Sequence, residues 1–97
     1  MPQPRRKSLP SLRRRIDRLD ERLLALLNQR VRFALSIGSI KHRRKWPIFD
    51  AAREASVLRH VVGANRGPLS ERAVRHIFQA ILSECRRRER RGKKVIK

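Results

Sequence analysis

Leu12, Ile16, Leu19, Leu23, Leu26, Arg30, Phe33, Ile37 and Ile40 follow one another at alternating spacings of four and three residues. That is the repeat of a helix presenting one continuous seam to a partner, and only Arg30 interrupts it. A second row runs beside the first through Arg13, Asp17, Asp20, Leu24, Leu27, Val31, Ala34, Gly38 and Lys41, apolar in the middle and charged at both ends. The pattern predicts one long helix buried over a wide face. At a rise of about 1.5 Å per residue, residues 12 to 42 extend about 45 Å, longer than a compact globule of this size should contain. Such a helix wants a second chain.

The segment from His42 to Phe49 should end it, because Pro47 forces Trp46 away from helical geometry and the cations around Arg43 crowd one another. Asp50 is placed to cap a second helix. On that helix Asp50, Glu54, Val57 and Val61 share a face beside Ala51, Ala55, Leu58 and Val62, so two acids lie on the inward side. Gly63 to Pro68 is rich in breakers and reads as a turn. Ser70 then caps a third helix, with Leu69 and Val74 spaced as a hydrophobic staple. Its core stripe is Val74, Ile77, Phe78, Ile81, Leu82 and Cys85, and the same stripe continues to Glu89. The expected architecture is all-α, three helices with one very long N-terminal helix.

Composition adds two constraints. Ninety-seven residues make one small domain, which buries a modest fraction of its surface alone, so oligomerisation is expected. The 27 Lys and Arg against 8 Asp and Glu, a net charge of +19, suggest by themselves a nucleic-acid binder or a membrane-surface protein. About half of that excess lies near the ends, in residues 5–7 and 86–97, where like-charge runs read as solvated, fraying segments. The organisation is then a basic flexible tail over 1–11, a helical domain over 12–90 and a basic tail over 91–97. With no Tyr, one Trp and three Phe, the stacking platforms of single-strand binders are missing, so nucleic acid is not the favoured partner.

The single cysteine, Cys85, excludes an internal disulfide and suits a reducing compartment, so the expected location is cytoplasmic. No apolar stretch approaches the roughly 20 residues of a membrane span. His42, His60 and His76 lack ligand spacing, and no glycine-rich phosphate loop occurs, so neither a metal nor a cofactor is expected. Cys85 lies on an apolar stripe, where a thiol is more often a small core residue than a nucleophile.

What remains are cations where a helical core wants apolar residues: Arg13, Arg30, Lys41, and Arg53 followed by Glu54. A guanidinium inside an apolar seam needs a partner, either an anionic ligand or an acid such as Glu54 or Glu84. Lys41 lies about 16 Å from Arg30 along the axis, so both side chains can reach a small molecule between them. Arg13 is about 42 Å from Lys41 on the same rod and can share that ligand only from a second protomer, in an intertwined homodimer with two shared sites. The bland readings are a dipole interaction for Lys41 near a helix C-terminus and a surface salt-bridge cluster for the string from Asp50 to Glu54.

Taken in order, Leu12-Arg13-x-x-Ile16-Asp17-x-x-Asp20, Leu23-Leu-Ala-Leu-Leu27, Arg30, Ile37-Gly38-x-x-Lys41, Pro47-Ile48-x-Asp50-x-x-Arg53-Glu54 and Ile77-Phe78-x-x-Ile81 resemble the all-helical chorismate mutases, over about residues 12 to 89. The resemblance implies an intertwined dimer of three-helix chains. The implied reaction is the rearrangement of chorismate to prephenate, a step of aromatic amino-acid (Phe/Tyr) biosynthesis needing no metal, redox cofactor or nucleophile. Arg13 of one chain and Arg30 of the other would clamp the two carboxylates. Lys41 would donate to the ether oxygen, where charge develops. Asp50 and Glu54 would hold the ring hydroxyl region, supported electrostatically by Arg53.

Two positions depart from the pattern of the bacterial members. Cys85 stands where serine is common, and a thiol is a poorer donor to a substrate carboxylate. Glu89 stands where glutamine is common opposite the lysine, so it must be protonated to donate to the ether oxygen. Activity is then expected to fall as pH rises through the Glu89 titration, with Arg86 to Arg88 and Arg90 acting against protonation. Two other functions compete: an isochorismate-pyruvate lyase of the same fold, against which the string from Asp50 to Glu54 argues, and a basic nucleic-acid-binding or accessory protein. The basic ends could also dock a pathway partner enzyme.

Overall fold

The computed structural model describes residues 8–95 and contains three helices, α1 (Leu9–Arg44), α2 (Ala51–Ala64) and α3 (Glu71–Val95), with no strand among the described residues. The all-α reading and the very long first helix both hold. No described helix is long and apolar enough to cross a membrane.

Each helix boundary has a local cause. Ser8 Oγ accepts the Ser11 N–H at 3.3 Å in the manner of an N-cap, so α1 starts three residues before the position its apolar pattern suggests. Pro10 falls in the first turn, where the missing N–H has no helical acceptor to lose. At the other end Lys45 has φ 58, the Lys45 N–H reaches His42 O at 3.2 Å and the Trp46 N–H reaches Lys41 O at 2.8 Å. These two bonds form a Schellman motif, with a lysine where glycine is usual. The helix thus stops two residues before Pro47 takes effect. The Asp50 carboxylate accepts the Arg53 N–H at 3.0 Å and caps α2. Ser70 Oγ accepts the Ala73 N–H at 3.0 Å and starts α3. Leu69, expected to staple onto Val74, remains 51% exposed, while its carbonyl accepts the Asn65 side-chain amide.

Over the basic stretch from residue 86 onward, α3 continues to Val95. Three ion pairs begin this stretch and offset part of its like-charge repulsion: Arg86 with Glu54, Arg87 with Glu84 and Glu89 with Lys41. Of the flexible tail expected over residues 1–11, residues 1–7 lie outside the described residues, as do 96–97, and residues 9–11 belong to α1.

Two compact units divide the chain, Met1–Arg30 and Val31–Lys97. In the second, Ala34, Val57, Val74, Leu82 and Cys85 form the core, joined by the buried Gly38. In the first, no residue from Ser8 to Arg30 is buried, and Leu12, Ile16, Leu19, Leu23 and Leu26 are 40–61% exposed.

Candidate functional site

Gly38 sets the geometry of the site. A Cβ built on it would lie 3.0 Å from Glu89 Cβ, 3.1 Å from Cγ and 3.2 Å from Cα, so at this point α1 and α3 approach as closely as a glycine permits. One turn further along α1, Lys41 is thereby brought to Glu89, with Nζ 3.5 Å from Oε1. The Lys41 ammonium also donates to Ile48 O at 2.7 Å, fastening the connection after α1 to the helix it has just left. Both side chains are largely shielded, with 17% and 11% of their surface accessible. Two opposite charges held together with little water around them interact more strongly than a surface pair, and the extra hydrogen bond to Ile48 offsets part of the desolvation cost of the ammonium.

α2 supplies the next acid. Glu54 is half-buried, and its Oε2 accepts from Arg86 Nη1 of α3 at 2.6 Å. The Arg86 guanidinium also lies over the Phe49 ring, 5.2 Å from its centroid. Cys85, adjacent to Arg86, is buried at 4% exposure, as its place on the apolar stripe predicts. Asp50 is exposed and its carboxylate is engaged in capping α2. Arg53 is exposed, and its guanidinium reaches Ser56 Oγ at 3.5 Å.

Lys41, Glu54, Cys85 and Glu89 come from three helices of one compact unit. Arg13, near the start of α1, is exposed. Arg30, past the midpoint of α1 and expected to be buried, is half-buried in the single chain, where no described charged residue is fully buried. The cation in contact with Glu54 is Arg86, one the sequence reading assigned to a solvated end. The signal that could have found it is its place beside Cys85 on the inward stripe of α3, three residues before Glu89.

Among the described residues no group of His, Cys, Asp and Glu is arranged to hold a metal ion. What the cluster offers is a set of fixed charges, two cations each paired with an acid.

The sequence model of the chorismate mutase type II family matches residues 12–90, most of the chain. The chain belongs to this family. It is 40% identical over 83 residues to a bifunctional chorismate mutase/prephenate dehydratase of Stutzerimonas stutzeri, covering 79% of this chain and 22% of that protein. The corresponding protein of Aquifex aeolicus is 36% identical over 83 residues, with 81% and 23% covered. The chain thus spans about a fifth of the length of the curated relatives it matches. Two solved chorismate mutases share the fold. The Thermus thermophilus structure superposes with a TM-score of 0.84 at 29% identity, covering 86% of this chain and 94% of that one. The Helicobacter pylori enzyme in complex with prephenate superposes with a TM-score of 0.84 at 28% identity, covering 92% and 97%. The family assignment agrees with the resemblance carried by the motifs from Leu12 to Ile81.

Proposed function

We propose that the chain is a chorismate mutase, an isomerase that converts chorismate to prephenate in the biosynthesis of phenylalanine and tyrosine. The observation that carries this reading is the meeting of Lys41 with Glu89 across the Gly38 contact, in a chain of this family. The similarity to a structure holding prephenate supports it.

The reaction is a [3,3] rearrangement in which the ether C–O bond breaks as a carbon–carbon bond forms within one molecule. No group is transferred, so the residues serve by ordering the substrate and by stabilising developing charge. Arg30 and Arg13 of a second copy grip the two carboxylates, for which a planar guanidinium fork is better matched than an ammonium. With its ends held, the enol-pyruvyl arm is folded over the ring rather than extended. Lys41 donates to the ether oxygen, and this bond strengthens as the oxygen gains negative charge, which is what accelerates rather than merely binds. Glu89 donates to the same oxygen only when it is protonated; as the carboxylate it pairs with Lys41. Glu54 accepts from the ring hydroxyl. Asp50 contributes at the α2 N-terminus through its backbone, its carboxylate being used in the cap, and Arg53 adds positive potential near Glu54. Cys85 faces a carboxylate as a weak donor. No cofactor takes part.

The exposed leucines of α1 support a homodimer in which each site draws Arg13 from the other copy. The lone thiol supports a cytoplasmic location. The bifunctional relatives support a pathway partner, an enzyme that consumes prephenate and acts next to this one.

The test is conversion of chorismate by the purified chain, with prephenate and pyruvate both quantified, repeated for Arg30→Ala and Lys41→Ala. Prephenate from the wild type and losses of about 100-fold or more in both variants are expected. Pyruvate from isochorismate with no prephenate from chorismate would favour the lyase. RNA binding at physiological salt without turnover of either compound would favour an accessory role.

A further inference from the structure

Arg86 is the residue of this cluster that the proposed mechanism does not use. Its Nη1 donates to Glu54 Oε2 at 2.6 Å, and the guanidinium is stacked 5.2 Å from the centroid of Phe49. The two partners come from different elements, Glu54 from α2 and Phe49 from the connection before it, so the guanidinium is held from two directions. About a quarter of each side chain of the pair remains accessible, 24% for Arg86 and 23% for Glu54. That is too little exposure for a freely moving surface pair and enough for a small molecule to reach the carboxylate. Arg53, the neighbouring cation in sequence, points its guanidinium at Ser56 instead.

We infer that Arg86 is a positioning residue for substrate recognition: it fixes the Glu54 carboxylate through one oxygen and presents the other to the ring hydroxyl. The inference rests on the reading of Glu54 as the acceptor of that hydroxyl. Physically, a glutamate side chain has three rotatable bonds, and ordering it at each binding event costs side-chain entropy. A charge-assisted bond of this length, with a cation itself stacked on an aromatic ring, removes that cost before substrate arrives. The hydroxyl does not change in the rearrangement, so the contribution is made equally to ground and transition states and belongs in KM rather than kcat.

The test uses the full chain and two substrates, chorismate and the analogue in which the ring hydroxyl is replaced by hydrogen. With the wild type, kcat/KM should favour chorismate by at least about tenfold, since a site built to bond a hydroxyl penalises the analogue lacking it. Arg86→Met, which keeps the length and apolar stem, should raise KM for chorismate several-fold with kcat nearly unchanged and should leave kcat/KM for the deoxy analogue as it was, so that most of the preference disappears. Arg86→Lys should restore part of it. In a Glu54→Ala background, Arg86→Met should have no further effect on chorismate, because the two act through one contact. If Arg86→Met lowers kcat/KM equally for both compounds, or keeps the full preference, the inference is overturned and Arg86 merely ties α2 to α3. A wild type that turns over neither compound contradicts the functional reading, and the inference falls with it.

Discussion

Between Leu9 and Arg30 the chain has no buried residue, whereas from Val31 onward it encloses a core of Ala34, Val57, Val74, Leu82 and Cys85. The first region is nonetheless about as apolar as the second. Leu9, Leu12, Ile16, Leu19, Leu23, Leu24, Leu26 and Leu27 lie along it, each 37–61% exposed. Covering what remains of these side chains is worth on the order of 1 kcal/mol each, and together enough to hold two chains. The second region obtains its cohesion within one chain, from close contact at Gly38 and ion pairs across α1, α2 and α3. The charged groups of the proposed site thus divide between two sources of order: Lys41, Glu54 and Glu89 are held by the fold of a single chain, whereas Arg13 reaches a site only if a second copy associates.

The largest effect is therefore expected from charge on the uncovered seam. Leu19→Asp combined with Leu23→Asp should abolish association and lower turnover by about 1,000-fold, by removing Arg13 of the second copy from each site. Sedimentation and turnover measured together check this, and a dimeric or active variant would break the comparison. Next comes the self-contained region. Gly38→Ala places a Cβ 3.0 Å from that of Glu89, and the overpacking should cost about 1–3 kcal/mol, with a lower Tm and weaker turnover but an intact oligomer.

Most of the fold was legible because its signals are local or periodic. The 4-3 repeat from Leu12 to Ile40 located α1, and Asp50 and Ser70 both cap as their positions suggest. The end of α1 was less legible: a lysine at φ 58 carries no sequence signal of the kind a glycine does. Lys41 of α1 meets Glu89 of α3 because helical spacing transmits position faithfully along each helix. Arg86 was missed because charge density invites a solvated reading, and only the third dimension puts Glu54 and Phe49 beside it. The burial expected of Arg30 depends on surface that a single chain does not contain.

Smaller effects sharpen the same contrast within the second region. Glu89→Gln replaces an acceptor with an N–H donor beside Lys41 and should raise kcat several-fold at alkaline pH, flattening the pH profile, with association unchanged. A wild-type kcat/KM that is flat from acid to alkaline pH would contradict the role given to Glu89. The mildest change is Lys45→Gly. Relief of the left-handed backbone at the end of α1 should add about 1 kcal/mol of stability, read as a raised Tm, and leave turnover as it was.

Each proposed site needs a second copy of the chain to be complete, and co-refolding two inactive variants puts this to the test. Arg13→Ala and Lys41→Ala chains, unfolded together in equal amounts and refolded, form hybrids in which one site carries both defects and the other carries neither. Recovery of about one quarter of wild-type turnover is predicted, since half of the dimers are hybrids and each has one intact site of two. A mixture no more active than its two components would contradict the account.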